Sequence, residues 1–347
     1  MVANLQKRPN GVWRARYRDA DGKQISRHFP RKIDGQRWLD EVTATVVTGI
    51  YVDPKAGTIT FGQWYAQWSE TQVWARGTRL KAAQALATTT FAEKQIKQIL
   101  PSHVQAWVKG MSTSLAPSTV EVNYNLIHAA FRAAVIDKVI GSDPCVKIKL
   151  PRKRRRDAAM AIPTPEQVRD TLEAADEWFA PYVAVCAFAG LRLGEASGLQ
   201  VGDVDFLRRT IQVTRQVQGE NRATTEVVPP KHGSERVVYV PDELLTMLAR
   251  HIETVGVWGD QGWLFALGGH LLNRNAAGNQ WRKVREAAGL RERYTLHDLR
   301  HFYASGLIAD GCDVVTVLKA LGHATPTITL NTCGRRRKTR RGPQHPV

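Results

Sequence analysis

The sequence predicts a mainly α-helical protein that carries small β-sheets and divides into three domains. Three observations lead there. Between Trp13 and Arg18, apolar residues and arginines alternate with a period of two, the pattern of a strand with one buried face. Across residues 60–150 apolar positions recur at helical spacing. Further on, the apolar run 183–189 is followed by β-like runs and then by a helix holding a His-x-x-Arg pair. A chain of 347 residues has room for two or three cores.

Taken in order, residues 1–55 form a small sheet-plus-helix domain. Trp13, Ala15 and Tyr17 fall on one strand face, and Arg14, Arg16 and Arg18 on the other. Asp21-Gly22 marks a tight turn into a second strand ending near Phe29. An amphipathic helix follows, with Ile33, Trp38, Leu39 and Val42 as its expected buried side. The arginine face is expected to meet DNA; a surface hairpin with solvated arginines is the plainer alternative.

Residues 60–150 read as helices over 61–69, 79–90, 101–109 and 118–140, the last with Val122, Leu126, Ala129, Ala130 and Ala133 as its core stripe. Residues 151–163 read as a basic linker. Arg152, Lys153, Arg154, Arg155 and Arg156 repel one another unless solvated or set against phosphates, which makes them candidate DNA contacts.

A new domain, 164–333, starts at Thr164-Pro165-Glu166-Gln167, a capping box with proline at the first helical position. A three-stranded sheet is expected from 210–217, 223–228 and 236–240. Near the end, Leu299, Phe302 and Leu307 mark one helix that stops at Gly311. Asp313 then caps a second helix through Val314, Val317, Leu318 and Leu321, which Gly322 ends. The basic tail, 334–347, has almost nothing apolar and is expected to stay disordered until it meets DNA.

Charge narrows the partners. With 49 Lys+Arg against 32 Asp+Glu, a net charge of +17 favours a polyanion bound through phosphate neutralisation and counterion release. A merely soluble basic protein is the bland alternative. The four cysteines, Cys145, Cys186, Cys312 and Cys333, lack paired spacing, as expected in a reducing cytoplasm. The first residues lack the apolar core of a signal peptide, and no run approaches membrane-spanning length, so no membrane association is expected.

His297 and Arg300 stand three residues apart, on one helix face. Arg192 and Glu195 repeat that spacing after a buried segment, a carboxylate able to orient an anion clamp. Two arginines suit a phosphodiester because each can donate in parallel to two oxygens. Lys231, between β-like runs, is expected at a hairpin tip that reaches into a cleft. Each residue has a duller reading: Arg192–Glu195 as a surface ion pair, or a histidine after a helix-stopping glycine as a carbonyl cap. His297 and His301 have zinc-compatible spacing but no third ligand, and no carboxylate cluster suits magnesium. No metal and no cofactor are expected.

Ala189-Gly190-Leu191-Arg192-Leu193-Gly194-Glu195, Lys231, His297-Asp298-Leu299-Arg300-His301 and Leu321-Gly322-His323, in this order and spacing, resemble the tyrosine recombinase (phage integrase) family over nearly the whole chain. The resemblance implies an arm-type DNA-binding domain at 1–55, a helical core-binding domain at 60–150 and a mixed α/β catalytic domain at 164–333. It implies a site-specific recombinase that binds duplex DNA at attachment-type sites and integrates or excises DNA by metal-free phosphoryl transfer. The implied partners are further copies of the chain, four during recombination, and accessory DNA-bending proteins. The implied location is the cytoplasm of a bacterial host. Arg192 and Arg300 would take the non-bridging oxygens and Lys231 would protonate the leaving 5′-oxygen. His297 and His323 would act as hydrogen-bonding and acid–base groups, with Glu195 as support.

One position departs from the family. Its nucleophilic tyrosine falls in a segment much like Thr329-Leu330-Asn331-Thr332-x-Gly334, where this chain has Cys333. A cysteine sulfur lies roughly 3 Å from Cα, a tyrosine oxygen roughly 6 to 7 Å, and about 1 Å of misplacement is already expensive. Nearby arginines would still favour the thiolate, which is the nucleophilic form. No tyrosine follows position 333, and Tyr303 reads as a packing residue. The basic tail also stands where the family continues into a partly apolar helix. Together these imply a truncated or frame-disrupted integrase with impaired cleavage. The alternative is a cleavage-deficient DNA-binding remnant that occupies or regulates recombination sites.

Overall fold

A computed structural model describes residues 3–18, 22, 24–47, 56–152 and 162–322. The chain separates into two compact units, Met1–Arg156 and Asp157–Val347.

The first unit begins with strands β1 (Asn4–Lys7), β2 (Trp13–Arg18) and β3 (Gln24–Phe29), antiparallel in that order, followed by helix α1 (Lys32–Val47). Ala15 and Tyr17 are buried with Leu39, and Trp38 meets Tyr17 edge-on. Strand β1 has a single apolar residue, Leu5, and so gave no periodic signal of its own. Ile33, expected to be buried, is 63% exposed. It lies in the first turn of α1, before the contact face begins at Gly35; a Cβ there would come within 2.8 Å of Leu5 Cδ1.

The same unit contains helices α2 (Phe61–Glu70), α3 (Arg76–Ala87), α4 (Pro101–Met111) and α5 (Pro117–Ile136). Thr60 and Gln63 cap α2 reciprocally. The core gathers Phe61, Phe91, Trp107 and Phe131, with Phe61 stacked on Phe131 at 4.5 Å. The buried face of α5 is Val120, Tyr124, Ile127, Ala130, Phe131 and Ala134, whereas Val122 is 46% exposed. The expected stripe was therefore rotated, because the alanines around position 130 do not distinguish adjacent faces and the large side chains decide. Arg152 is exposed; Lys153, Arg154, Arg155 and Arg156 lie outside the described residues.

The second unit opens with α6 (Pro165–Ala174), capped by Thr164 and Gln167, and the buried helix α7 (Ala180–Phe188). A short helix α8 (Leu193–Ser197) leads into β4 (Val204–Asp205), β5 (Thr210–Val213), β6 (Gln216–Gln218), β7 (Glu226–Val228) and β8 (Arg236–Tyr239). Helix α9 (Asp242–Thr254), a hairpin of β9 (Ala266–Leu267) and β10 (His270–Leu271), and helices α10 (Arg274–Ala287), α11 (Leu296–Ala309) and α12 (Val314–Leu321) follow. Among the described residues no helix is long and apolar enough to cross a membrane.

The expected single sheet over 210–217, 223–228 and 236–240 is instead two antiparallel ladders, β4-β5-β8 and β6-β7. The run 210–217 divides because its second half is pressed against α8: a Cβ on Gly194 would come within 2.6 Å of the Val217 carbonyl. Pro229 and Pro230 have no N–H to continue the β7 ladder. Lys231 therefore lies in a 3₁₀ turn (Lys231–Gly233) that joins two ladders, not at the tip of a hairpin.

Candidate active site

The site grows from the end of α7. Gly190 takes φ +63°, a left-handed turn suited to glycine, and delivers Arg192 to the N-cap of α8. There the Arg192 backbone N–H donates to Glu195 Oε2 at 2.9 Å and its Nη1 donates to Oε1 at 2.6 Å. Glu195 is 1% exposed, so the carboxylate half of this pair is buried, unlike the surface ion pair that the spacing alone allows. Arg236, from β8, donates to both carboxylate oxygens, Nη2 to Oε2 at 2.9 Å and Nη1 to Oε1 at 3.2 Å. Arg300, from α11, brings Nη1 to 3.8 Å from Oε2. Three guanidiniums thus surround one carboxylate.

The same three side chains grip the C-terminal end of α12. Arg236 Nε donates to the Ala320 carbonyl at 2.7 Å, Arg300 Nη2 donates to the Leu321 carbonyl, and Arg192 Nη2 donates to the Gly322 carbonyl at 3.1 Å. The last carbonyls of a helix have no partner within it, and cations at that end also suit the helix dipole. Gly322, in the left-handed conformation, ends the helix. The other Arg300 Nη donates to the Gly190 carbonyl at 2.5 Å. Arg300 is thereby buried, while the Arg192 side chain remains 23% exposed and is the more open guanidinium.

Charge follows from this packing. Burial alone would raise the Glu195 carboxyl, but Arg236 and then Arg192 outweigh it and hold the group below its usual range. Burial, with Arg192 close by, pushes Arg300 down to about 9. His297 sits one turn before Arg300 with part of its ring in solvent. The protein packed beneath it, then His301 and Arg300, push it down to about 4. His297 and His301 meet edge to face at 4.8 Å. Burial also lowers His301 and raises Tyr303 and Cys186, the thiol to about 12.

The fold therefore brings Arg192, Glu195 and Arg300 together and places His297 on the helix that carries Arg300. Lys231 is exposed, three residues before Ser234, whose Oγ accepts from Arg192 Nη1 at 3.2 Å. Among the described residues no hydrogen bond or ion pair ties Lys231 to the arginines. His323 and Cys333 lie outside the described residues, as does the tail 334–347.

Arg236 and Ser234 went unnoticed in the sequence. Arg236 looks like one more outward arginine on an alternating strand. Only its place at the start of β8, close after Lys231, marks it.

In the first unit, Arg14, Arg16 and Arg18 occupy the sheet face opposite α1, paired across the strands with Gln6, Asn4, Ser26, His28 and Gln24. Arg14 Nη2 donates to Ser26 Oγ at 3.5 Å and Arg18 Nη1 to the Gly22 carbonyl at 3.0 Å. Among the described residues one set of side chains is close enough to share a metal ion: His128, Asp143 and Cys145. Asp143 already serves structure there, accepting from the Cys145 N–H at 2.8 Å and pairing with His128 Nε2 at 2.7 Å.

Residues 163–333 match the phage integrase family. A putative prophage phiRv2 integrase of Mycobacterium tuberculosis is 24% identical over 335 residues, covering 92% of this chain and 88% of the relative. Among solved structures, the Tn1549 transposon integrase in complex with a circular intermediate DNA aligns with a TM-score of 0.71. Its identity is 20%, over 81% of this chain and 99% of that one. A lambda integrase dimer bound to a COC′ core site aligns at 0.62 and 15% identity, over 99% and 97% of the two chains. At these identities the structural matches speak to the fold.

Proposed function

Because the chain belongs to the phage integrase family, we propose that it is a site-specific DNA recombinase whose phosphoryl-transfer site is the arginine cluster around Glu195. The observation that carries this reading is the convergence of Arg192 and Arg300 on one buried carboxylate. In-line attack on a phosphodiester concentrates negative charge on the non-bridging oxygens, and fixed guanidiniums stabilise that charge without reorganising. Arg192 is the open guanidinium. Arg300 meets a phosphate as the carbonyls of Gly190 and Leu321 give up its Nη groups.

The remaining roles are assigned by chemistry. Lys231 Nζ gives its proton to the departing 5′-oxygen as the P–O bond breaks. His297, neutral at pH 7, and His323 share hydrogen bonds with the phosphate and move the nucleophile's proton. Glu195 orients Arg192. The nucleophile's position is held by Cys333, whose thiolate would form a phosphothioester with the strand. Duplex DNA is the substrate, and the arginine face of β2 and the basic run 152–156 add phosphate contacts outside the reaction centre. The protein works as several copies on DNA, in the cytoplasm, with accessory DNA-bending proteins as further partners.

A second reading is favoured by Cys333 itself: a DNA-binding protein that occupies recombination sites without cutting them. Covalent capture on a nicked duplex, read on a denaturing gel, separates the two. A recombinase that lacks only its phenol gives little adduct as it stands and a clear adduct as Cys333→Tyr, abolished by adding Arg192→Ala. DNA binding with no adduct from either protein supports the second reading. A strong adduct from the unaltered chain, lost in Cys333→Ser, makes the thiol a working nucleophile.

A further inference from the structure

We infer that Arg236 is a positioning residue for the phosphate clamp: it touches no substrate, but it locks Glu195 so that Glu195 can hold Arg192 in the orientation that receives a phosphate. The inference rests on the reading of Arg192 as that clamp.

Arg192 is partly exposed and has a long, flexible stem, so its orientation must come from its partners. Glu195 supplies that partner through both oxygens, to the Arg192 backbone N–H and to Nη1. Without Arg236, the 1% exposed carboxylate would keep one partly exposed arginine in hydrogen-bond range, with Arg300 no nearer than 3.8 Å, and would be poorly fixed and less readily ionised. Arg236 removes both problems. Its guanidinium forms a two-point fork on the carboxylate, at 2.9 and 3.2 Å, a geometry that a lysine cannot copy. The fork is itself braced, since Nε donates to the Ala320 carbonyl at 2.7 Å and Nη1 to the Ser234 carbonyl at 3.3 Å. The side chain is 6% exposed and two of its three nitrogens are held on the Glu195 carboxylate, whereas among the described residues the hydrogen bonds of Arg300 go only to carbonyls. β8, α8 and α12 are thus joined through one planar group behind the clamp. The groups facing Glu195 are Arg192, Arg236, Arg300 and the Cys186 thiol, so three cations and one neutral group share its control.

Inorganic sulfate tests this, because it is tetrahedral like a phosphate and keeps its charge between pH 5 and 8. The full chain is melted in sulfate and in chloride at equal ionic strength, and the response of Arg192→Gln is subtracted as the general salt effect. Arg236→Lys keeps the charge but loses the fork, and should weaken the Arg192-dependent sulfate binding about tenfold while near-ultraviolet circular dichroism stays native. Arg236→Gln should make that binding pH-dependent, weaker as pH falls from 7 to 5, because Glu195 then takes up a proton and releases Arg192. The wild type should stay flat over that range.

Wild-type-like sulfate binding in Arg236→Lys overturns the inference and leaves the clamp standing. Equal loss at every pH, with a disturbed dichroism spectrum in both variants, makes Arg236 a fold residue only and also overturns it. If wild type and Arg192→Gln respond alike, Arg192 is no anion clamp, and the reading beneath the inference falls with it.

Discussion

The ring of Tyr303 occupies the space where a side chain at position 190 would project. A Cβ built on Gly190 lies 2.8 Å from Tyr303 Cε1 and closer still to Cδ1. The glycine also holds φ +63°, so two independent demands fall on one residue: backbone handedness and close approach of an aromatic ring.

Gly190→Ala should therefore destabilise the second unit by about 2–4 kcal/mol, from the left-handed backbone together with overpacking. Chemical denaturation measures it. A change below about 0.5 kcal/mol, the range of ordinary surface substitutions, would show that Tyr303 swings aside freely.

Arg192→Ala and Arg300→Ala should part company in stability. Arg192 is partly solvated, and its loss should cost about 1–2 kcal/mol. Arg300 is buried against two carbonyls beside Glu195, and its loss should cost about 3–5 kcal/mol. Both should abolish strand cleavage by a Cys333→Tyr protein, yet only Arg192→Ala should keep native long-duplex affinity at 37 °C. Denaturation curves and gel shifts on the same preparations decide this, and equal stabilities would count against Arg300 being the buried member of the pair.

His297 carries a sign that can be checked. Its ordinary value of 6.5 is pushed down to about 4, so between those values the unfolded chain binds the proton and the folded one does not. The contribution to stability is present above 6.5 and is lost as pH falls toward 4; His301, lowered as well, acts in the same direction. His297→Gln should flatten the fall in stability over that window. A nuclear magnetic resonance titration placing His297 above 6.5 would reverse the assignment.

Duplex binding should be strongly salt-dependent, each neutralised phosphate contributing about −0.9 to the slope of log K against log salt. Replacing Arg14, Arg16 and Arg18 together by glutamine should make that slope shallower without unfolding β2, because Ala15 and Tyr17, not the arginines, bury its inner face. An unchanged slope would make that face a solvated surface.

What the sequence disclosed depended on how local each signal was. The Thr164–Gln167 box, the Asp313 cap and the Gly322 stop are settled within a few residues, and the structure has each where the pattern put it. Arg192 with Glu195, and His297 with Arg300, were visible because both pairs share a helical turn. Arg236 was not, since its partner carboxylate lies far along the chain and no local pattern separates it from a solvent-facing strand arginine. Strand pairing failed for a similar reason. The split at Thr214–Arg215 is imposed by α8 packing against the β6 backbone, a tertiary constraint that overrides an unbroken β-prone run.

The grip of Arg236, Arg300 and Arg192 on the consecutive carbonyls of Ala320, Leu321 and Gly322 makes the exit of α12 and these three guanidiniums one thermodynamic unit. Coupling of this kind runs equally in both directions. Anything that frays the last turn of α12 frees guanidinium donors, and an anion that takes the donors of Arg192 or Arg300 loosens that turn by the same free energy.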